Sequence, residues 1–112
     1  MKKMINLKND FGEFPAGRYF GDGDYSGEKF RENFVIPALL DDKYDVVEID
    51  IDGTPGYGSS FLEEAFGGLL RNKNITKELI NRKLIIISPS KKRDSYINMI
   101  WKYIEEEYKR AK

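Results

Sequence analysis

Residues 46–52, Val-Val-Glu-Ile-Asp-Ile-Asp, constrain this chain more than any other stretch. Successive side chains of a strand point to opposite faces, so Val47, Ile49 and Ile51 share one side and Glu48, Asp50 and Asp52 the other. A strand buried between two helical layers reads apolar throughout. The alternation therefore predicts a sheet that carries helices mainly on one face and leaves the other partly open to solvent or a partner. Turn chemistry follows in Gly53-Thr54-Pro55-Gly56. Phe61, Leu62, Ala65, Phe66, Leu69 and Leu70 then recur at helical spacing and predict an amphipathic helix over 60–70.

The remaining elements are arranged around this unit. Ile5 and Leu7 alternate with polar residues and predict a first strand over 4–11. Residues 17–27, GRYFGDGDYSG, read as a short aromatic strand running into a Gly/Asp turn. Ser26 is placed to cap a helix carrying Phe30, Phe34 and Ala38, which Pro37 kinks or ends. The polar connection at 72–83 has room for a helical turn. Residues 83–88, KLIIIS, form a buried strand closed by Pro89, and Ile97, Ile100, Trp101, Ile104 and Tyr108 stripe a long helix over 94–109. The order β-β-α-β-α-β-α predicts an α/β fold, one small domain over 1–112 built on a mixed sheet.

Composition narrows the function. The chain has 112 residues, enough for one core but not two. It holds neither cysteine nor histidine, so disulfides, thiol nucleophiles, Cys/His zinc sites and Ser-His triads are excluded within it. No cofactor or metal is expected. Lys+Arg and Asp+Glu are both 19, whereas nucleic-acid binders usually carry a basic excess that neutralises phosphates. Lys91-Lys92-Arg93 could form a local basic patch, but a solvated helix start is the reading such a charge run favours. The N-terminus has two lysines without an apolar segment behind them, and no run approaches membrane-spanning length. A cytoplasmic protein that binds neither nucleic acid nor membrane is expected.

Two catalytic motifs compete for residues 50–60. Asp50-Ile51-Asp52-Gly53-Thr54 is similar, letter for letter, to the nucleophile loop of haloacid-dehalogenase-like phosphatases, where the first Asp attacks phosphorus and the second protonates the leaving group. Ser88 could stand in for the hydroxyl that such enzymes place after a later strand, with Lys91 or Lys92 near it. That family also needs a downstream acidic pair to complete a magnesium site, and Glu105, Glu106 and Glu107 fall mid-helix instead. A minimal magnesium-dependent phosphatase is thus the alternative reading. Gly53 to Ser60 also has P-loop spacing, but position 59 is serine, and without lysine the amides leave much of the phosphate charge uncompensated.

The segment from Glu48 to Leu70 resembles the STAS-like domain family, relatives of the anti-sigma-factor antagonists, in which a hydrophobic strand runs through a short loop into a Ser-Ser or Ser-Thr helix start. Classical antagonists carry Asp-Ser-Ser-Gly or Asp-Ser-Thr-Gly there, whereas this chain has Gly58-Ser59-Ser60-Phe61. The run SSFLEEAFGGLL, the upstream GRYFGDGDYSGEKFRENFVIPALL and the KLIIIS strand are similar to the uncharacterised STAS-like branch, over residues 17–88. The resemblance implies a protein-interaction domain, not an enzyme. Its partner would be a protein such as a kinase with the histidine-kinase-like ATPase fold, which phosphorylates a serine at this helix start and abolishes docking. Ser59 takes the place of the phosphoacceptor and Ser60 that of its neighbour. The docking surface implied is the loop and first helical turn, with Thr54, Tyr57, Gly58, Ser59, Ser60, Phe61 and Glu64 as contacts.

The same residues have structural expectations. Ser60 and Glu63 match the S-x-x-E capping box, in which each side chain satisfies an orphan amide at the helix start. Ser59, one residue earlier, is then the more exposed hydroxyl. Gly67-Gly68 weakens the helix by about 1 kcal/mol per glycine relative to alanine, which close packing would explain.

Overall fold

The computed structural model describes residues 1–110; residues 111 and 112 of the domain expected over 1–112 lie outside the described residues. Three strands form one sheet in the order β1-β2-β3: β1 (Lys2–Asn6), β2 (Val46–Asp50) and β3 (Leu84–Ile87). Both pairings are parallel, with Ile5, Ile49 and Ile86 in one row and Met4, Glu48 and Ile85 in the next. The α/β class holds, but the mixed sheet is corrected to a parallel one. The expected aromatic strand at 17–27 is a loop with one 3₁₀ turn (Phe20–Asp22). There the Asp22 carboxylate accepts the amides of Arg18 and Tyr19, so these backbone donors are used locally. The first strand also ends early, at Asn6, where its side chain accepts the Asn9 amide and turns the backbone into the π-helical turn Leu7–Phe11.

Parallel neighbours need crossover connections, and these are right-handed almost without exception. With strands in sequence order, both crossovers fall on the same face. The first carries α1 (Gly27–Phe30) and α2 (Ile36–Leu40), joined by the π-helical turn Arg31–Val35. The second carries α3 (Ser59–Phe66), its 3₁₀ extension Gly67–Arg71, and α4 (Lys77–Lys83). The last helix, α5 (Asp94–Arg110), packs on α3 and β3. Ile5, Val47, Ile49, Leu84 and Ile86 are buried under these helices, whereas Met4 and Ile85 are exposed on the other face. The one-sided sheet expected from the alternation in β2 is the one observed.

Pro37 neither ends nor breaks its helix. The π-helical turn before it sends the Ile36 amide back to the Arg31 carbonyl, and this wider turn absorbs the donor that proline lacks. Ser26 caps α1 as expected, its hydroxyl accepting the Lys29 amide at 3.2 Å. The core between α1, α3 and the sheet is aromatic. Phe30 lies 5.1 Å from Phe11, 5.7 Å from Phe34 and 6.3 Å from Phe61 between ring centroids. Each fully buried ring stabilises the fold by about 1.5–3 kcal/mol. This packing fixes α3, and hence the loop before it, against the carboxyl ends of the strands.

Candidate protein-docking site

In open parallel sheets, ligand and partner sites gather at the carboxyl ends of the strands. Here two loops meet there, 51–58 after β2 and 88–93 after β3. Asp52 holds them together. Its carboxylate accepts the Ser88 hydroxyl at 2.6 Å, the Ser90 amide at 2.8 Å and the Ser90 hydroxyl at 3.0 Å. Burial works against the charged form of Asp52, but the bonds from Ser88 and Ser90 outweigh it and hold the carboxyl below its ordinary range. Arg93 adds a second tie, its guanidinium donating to the Thr54 carbonyl and its amide to the Ser88 hydroxyl. Asp52, Gly53, Thr54, Ser90, Lys92 and Arg93 line a cleft of about 290 Å³ between the loops.

This geometry assigns the DIDGT residues structural duties. The Asp50 carboxylate accepts the Asp52 amide at 2.9 Å and closes the turn, while Asp52 is the latch. Ser88, which the phosphatase reading set aside to hold a phosphate, donates its hydroxyl to Asp52. Among the described residues, no group of three or more Asp or Glu side chains could hold a metal. Gly53 sits at φ +96 with the Lys8 side chain against it, a conformation and an approach that a Cβ would disturb.

The loop then turns inward. Thr54 is buried and its hydroxyl has no hydrogen-bond partner among the described residues. The Tyr57 ring packs 5.9 Å from Phe61 and 5.3 Å from Tyr96, and its hydroxyl donates to the Ile51 carbonyl at 2.7 Å. Burial pushes the Tyr57 phenol up to about 12. Helix α3 begins at Ser59 with Gly58 as its N-cap, and no side chain caps it. The capping box at Ser60 and Glu63 is therefore not formed. Glu63 turns to Arg18 and Arg71 instead, and these cations, opposing the effect of burial, hold its carboxyl below the usual range. Both serines are exposed in the first turn of the helix, and neither side chain makes a hydrogen bond among the described residues.

Glu64 is buried in an ion network. Arg31 donates to the Glu64 carboxylate and to the Glu64 carbonyl, both at 2.6 Å, and Arg18 and Arg71 approach the other carboxylate oxygen at 3.3 Å. Burial opposes the charge on Arg31, but Glu64 and Glu32 outweigh it and raise the guanidinium above its ordinary value. The two glycines expected to allow close packing do so. A Cβ at Gly68 would collide with the Arg31 guanidinium, and one at Gly67 would lie 3.3 Å from the Tyr103 carbonyl of α5.

Of the residues named for docking, Thr54, Tyr57, Phe61 and Glu64 are buried in the fold and pack the loop and helix in place. Gly58, Ser59 and Ser60 are exposed. Sequence reasoning missed Asp52, Ser90 and Arg93 as the clasp between loops, and Arg31 as the counter-ion of Glu64. The one signal for Arg31 was its place in an apolar helix opposite a double glycine.

The sheet with helices on one face and a loop leading into a serine-bearing helix define a small α/β domain of the STAS type. A family model described as "STAS-like domain of unknown function (DUF4325)" matches residues 26–94, and the chain belongs to that family. No curated protein and no solved structure matches the chain. Membership supports, at a coarse level, a regulatory and non-enzymatic domain; the family is not an established enzyme family. Among the described residues no helix is long and apolar enough to cross a membrane.

Proposed function

We propose that this chain is a regulatory docking domain whose switch is the start of α3, where Ser59 or Ser60 accepts a phosphate that blocks a protein partner. The observation that carries this reading is the pair of exposed hydroxyls at a helix N-terminus that caps itself on Gly58 and uses neither of them. A phosphate adds a charge of about −1.5 to −2 there. The positive end of the helix dipole tolerates an anion, so the fold survives while the docking surface changes sign. The resemblance to anti-sigma-factor antagonists suggests the partner, a kinase of histidine-kinase-like ATPase fold. The same reading puts the chain in the cytoplasm, where a cysteine-free domain loses nothing.

The test is to isolate the chain from its own cells and map phosphate by mass spectrometry under several growth conditions. The expected outcome is a modified fraction at Ser59 or Ser60 and none at Ser88 or Ser90. Unmodified serines at 59 and 60 under every condition would remove the switch from this reading. No observation in the structure favours the phosphatase alternative over it.

A further inference from the structure

Four of the eight large apolar side chains exposed among the described residues lie on one loop: Phe14, Tyr19, Phe20 and Tyr25. Loops of this length inside a small domain are uncommon and are most often functional. Its conformation is held by hydrogen bonds. The Ala16 amide donates to the Tyr25 carbonyl, the Gly27 amide to the Gly17 carbonyl and the Glu28 amide to the Arg18 carbonyl, each at 3.0 Å. Asp22 closes the tip on the amides of Arg18 and Tyr19. Rings presented on an ordered backbone lose little entropy on binding, which is why aromatic residues anchor protein interfaces. The loop also precedes the stretch that the family model matches, 26–94, so the rings lie outside the matched core.

Charge narrows the occupant. Residues 12–29 carry the acids Glu13, Asp22, Asp24 and Glu28 against two bases, Arg18 and Lys29. Arg18 is turned inward onto Glu63 and Glu64, which leaves the outer surface acidic. Lys29 fills one such place from within the chain, its ammonium 3.3 Å from the Asp24 carboxylate and 6.0 Å from the centre of the Phe20 ring, and a partner's cation would compete with it there. An aromatic face beside a carboxylate is a cation site. We propose that the loop 12–26 is a second docking surface, one that takes a protein segment bearing Lys or Arg among apolar residues. The acidic loop disfavours nucleic acid and anionic membrane, the other partners that exposed rings could serve. The proposal does not rest on phosphorylation at the start of α3 and survives or fails without it.

The test begins with a random dodecapeptide library selected against the purified full chain. Enriched peptides should carry Lys or Arg next to apolar residues. The synthetic peptide should lose at least tenfold in affinity against Tyr19→Ser/Phe20→Ser, lose several-fold at raised salt, and bind Ser60→Asp unchanged. Circular dichroism checks that the double variant folds. Independently of any variant, amide shifts of the wild-type chain titrated with the peptide should change at 13–25. Four results would overturn the proposal: no enriched peptide, enriched peptides without cations, equal binding to the folded double variant, or shift changes confined to other residues.

Discussion

Two pairs of serines stand where a strand hands over to a helix, and they are used in opposite ways. Ser88 and Ser90 lead from β3 towards α5, and both hydroxyls are bonded to Asp52. Ser59 and Ser60 open α3, and neither hydroxyl has a hydrogen-bond partner among the described residues. Both pairs stand at the same end of the sheet, the first on the loop after β3 and the second in the first turn of α3. The difference is in what lies opposite. Asp52 and Arg93 face the first pair, whereas the carboxylates nearest the second in sequence, Glu63 and Glu64, are bound by Arg18, Arg31 and Arg71. A hydroxyl the fold uses cannot be modified without breaking the fold. One the fold leaves free can change charge without that cost.

This comparison can be broken by mutation. Asp52→Ala removes the acceptor of three hydrogen bonds and strands the buried Ser88 hydroxyl, while the Ser90 donors turn to solvent. Bonds to a charged group make this the largest change, and urea denaturation should show a loss of about 2–3 kcal/mol. Ser88→Ala removes one bond to Asp52 and the acceptor of the Arg93 amide, and should cost about 1–2 kcal/mol by the same measurement. A loss under 0.5 kcal/mol in either variant, on the scale of ordinary surface substitutions, would mean that the two loops are not held by this clasp.

Acid titration sharpens the same point. The Asp52 carboxyl titrates below its ordinary value in the fold. Its contribution is present above the unfolded value of about 3.9 and is lost as the pH falls through the lower folded value. Melting temperatures measured from pH 5 to pH 2 should therefore fall more steeply for the wild type than for Asp52→Asn. Parallel curves would show that Asp52 is not stabilised in its charged form.

The smallest effects belong to the other pair. Ser59→Ala and Ser60→Ala should each change stability by less than about 0.5 kcal/mol, as expected for surface positions without a cap bond. Ser59→Asp places a carboxylate at the first position of α3 and should be neutral or stabilise by about 0.3–1 kcal/mol. A loss above 1 kcal/mol for Ser60→Ala would restore the capping role that its sequence pattern suggests.

Much of the fold was legible because β2 and β3 announce themselves by alternation and by an apolar run, and because α3 and α5 keep helical spacing. The one-sided cover followed from β2 alone. The stretch 17–27 was misread because aromatic residues are common in strands, and nothing local distinguishes rings that pair across a sheet from rings that face solvent. The capping box was misread for a different reason. Its two residues satisfy the pattern, but Arg18 and Arg71, 45 and 8 residues away, offer Glu63 a charge that a backbone amide does not. Arg31 and Asp52 were opaque because their partners are brought by the fold from 33 and 36 residues away. The family was legible in SSFLEEAFGGLL, whose apolar and glycine positions meet the core and Arg31, while the buried contacts at Thr54, Tyr57, Phe61 and Glu64 could not be told from exposed ones.

The central claim is that the start of α3 faces a protein partner and that negative charge there releases it. Because the chain has no cysteine, Ser59→Cys creates a unique attachment point for a photo-crosslinker. The labelled chain, returned to extracts of its own cells and irradiated, should capture one protein. That capture should be lost when Ser60→Asp is added, and it should not occur from the same label at Lys102→Cys on the exposed side of α5. Equal capture from position 102, or capture from position 59 that Ser60→Asp leaves unchanged, would contradict the claim.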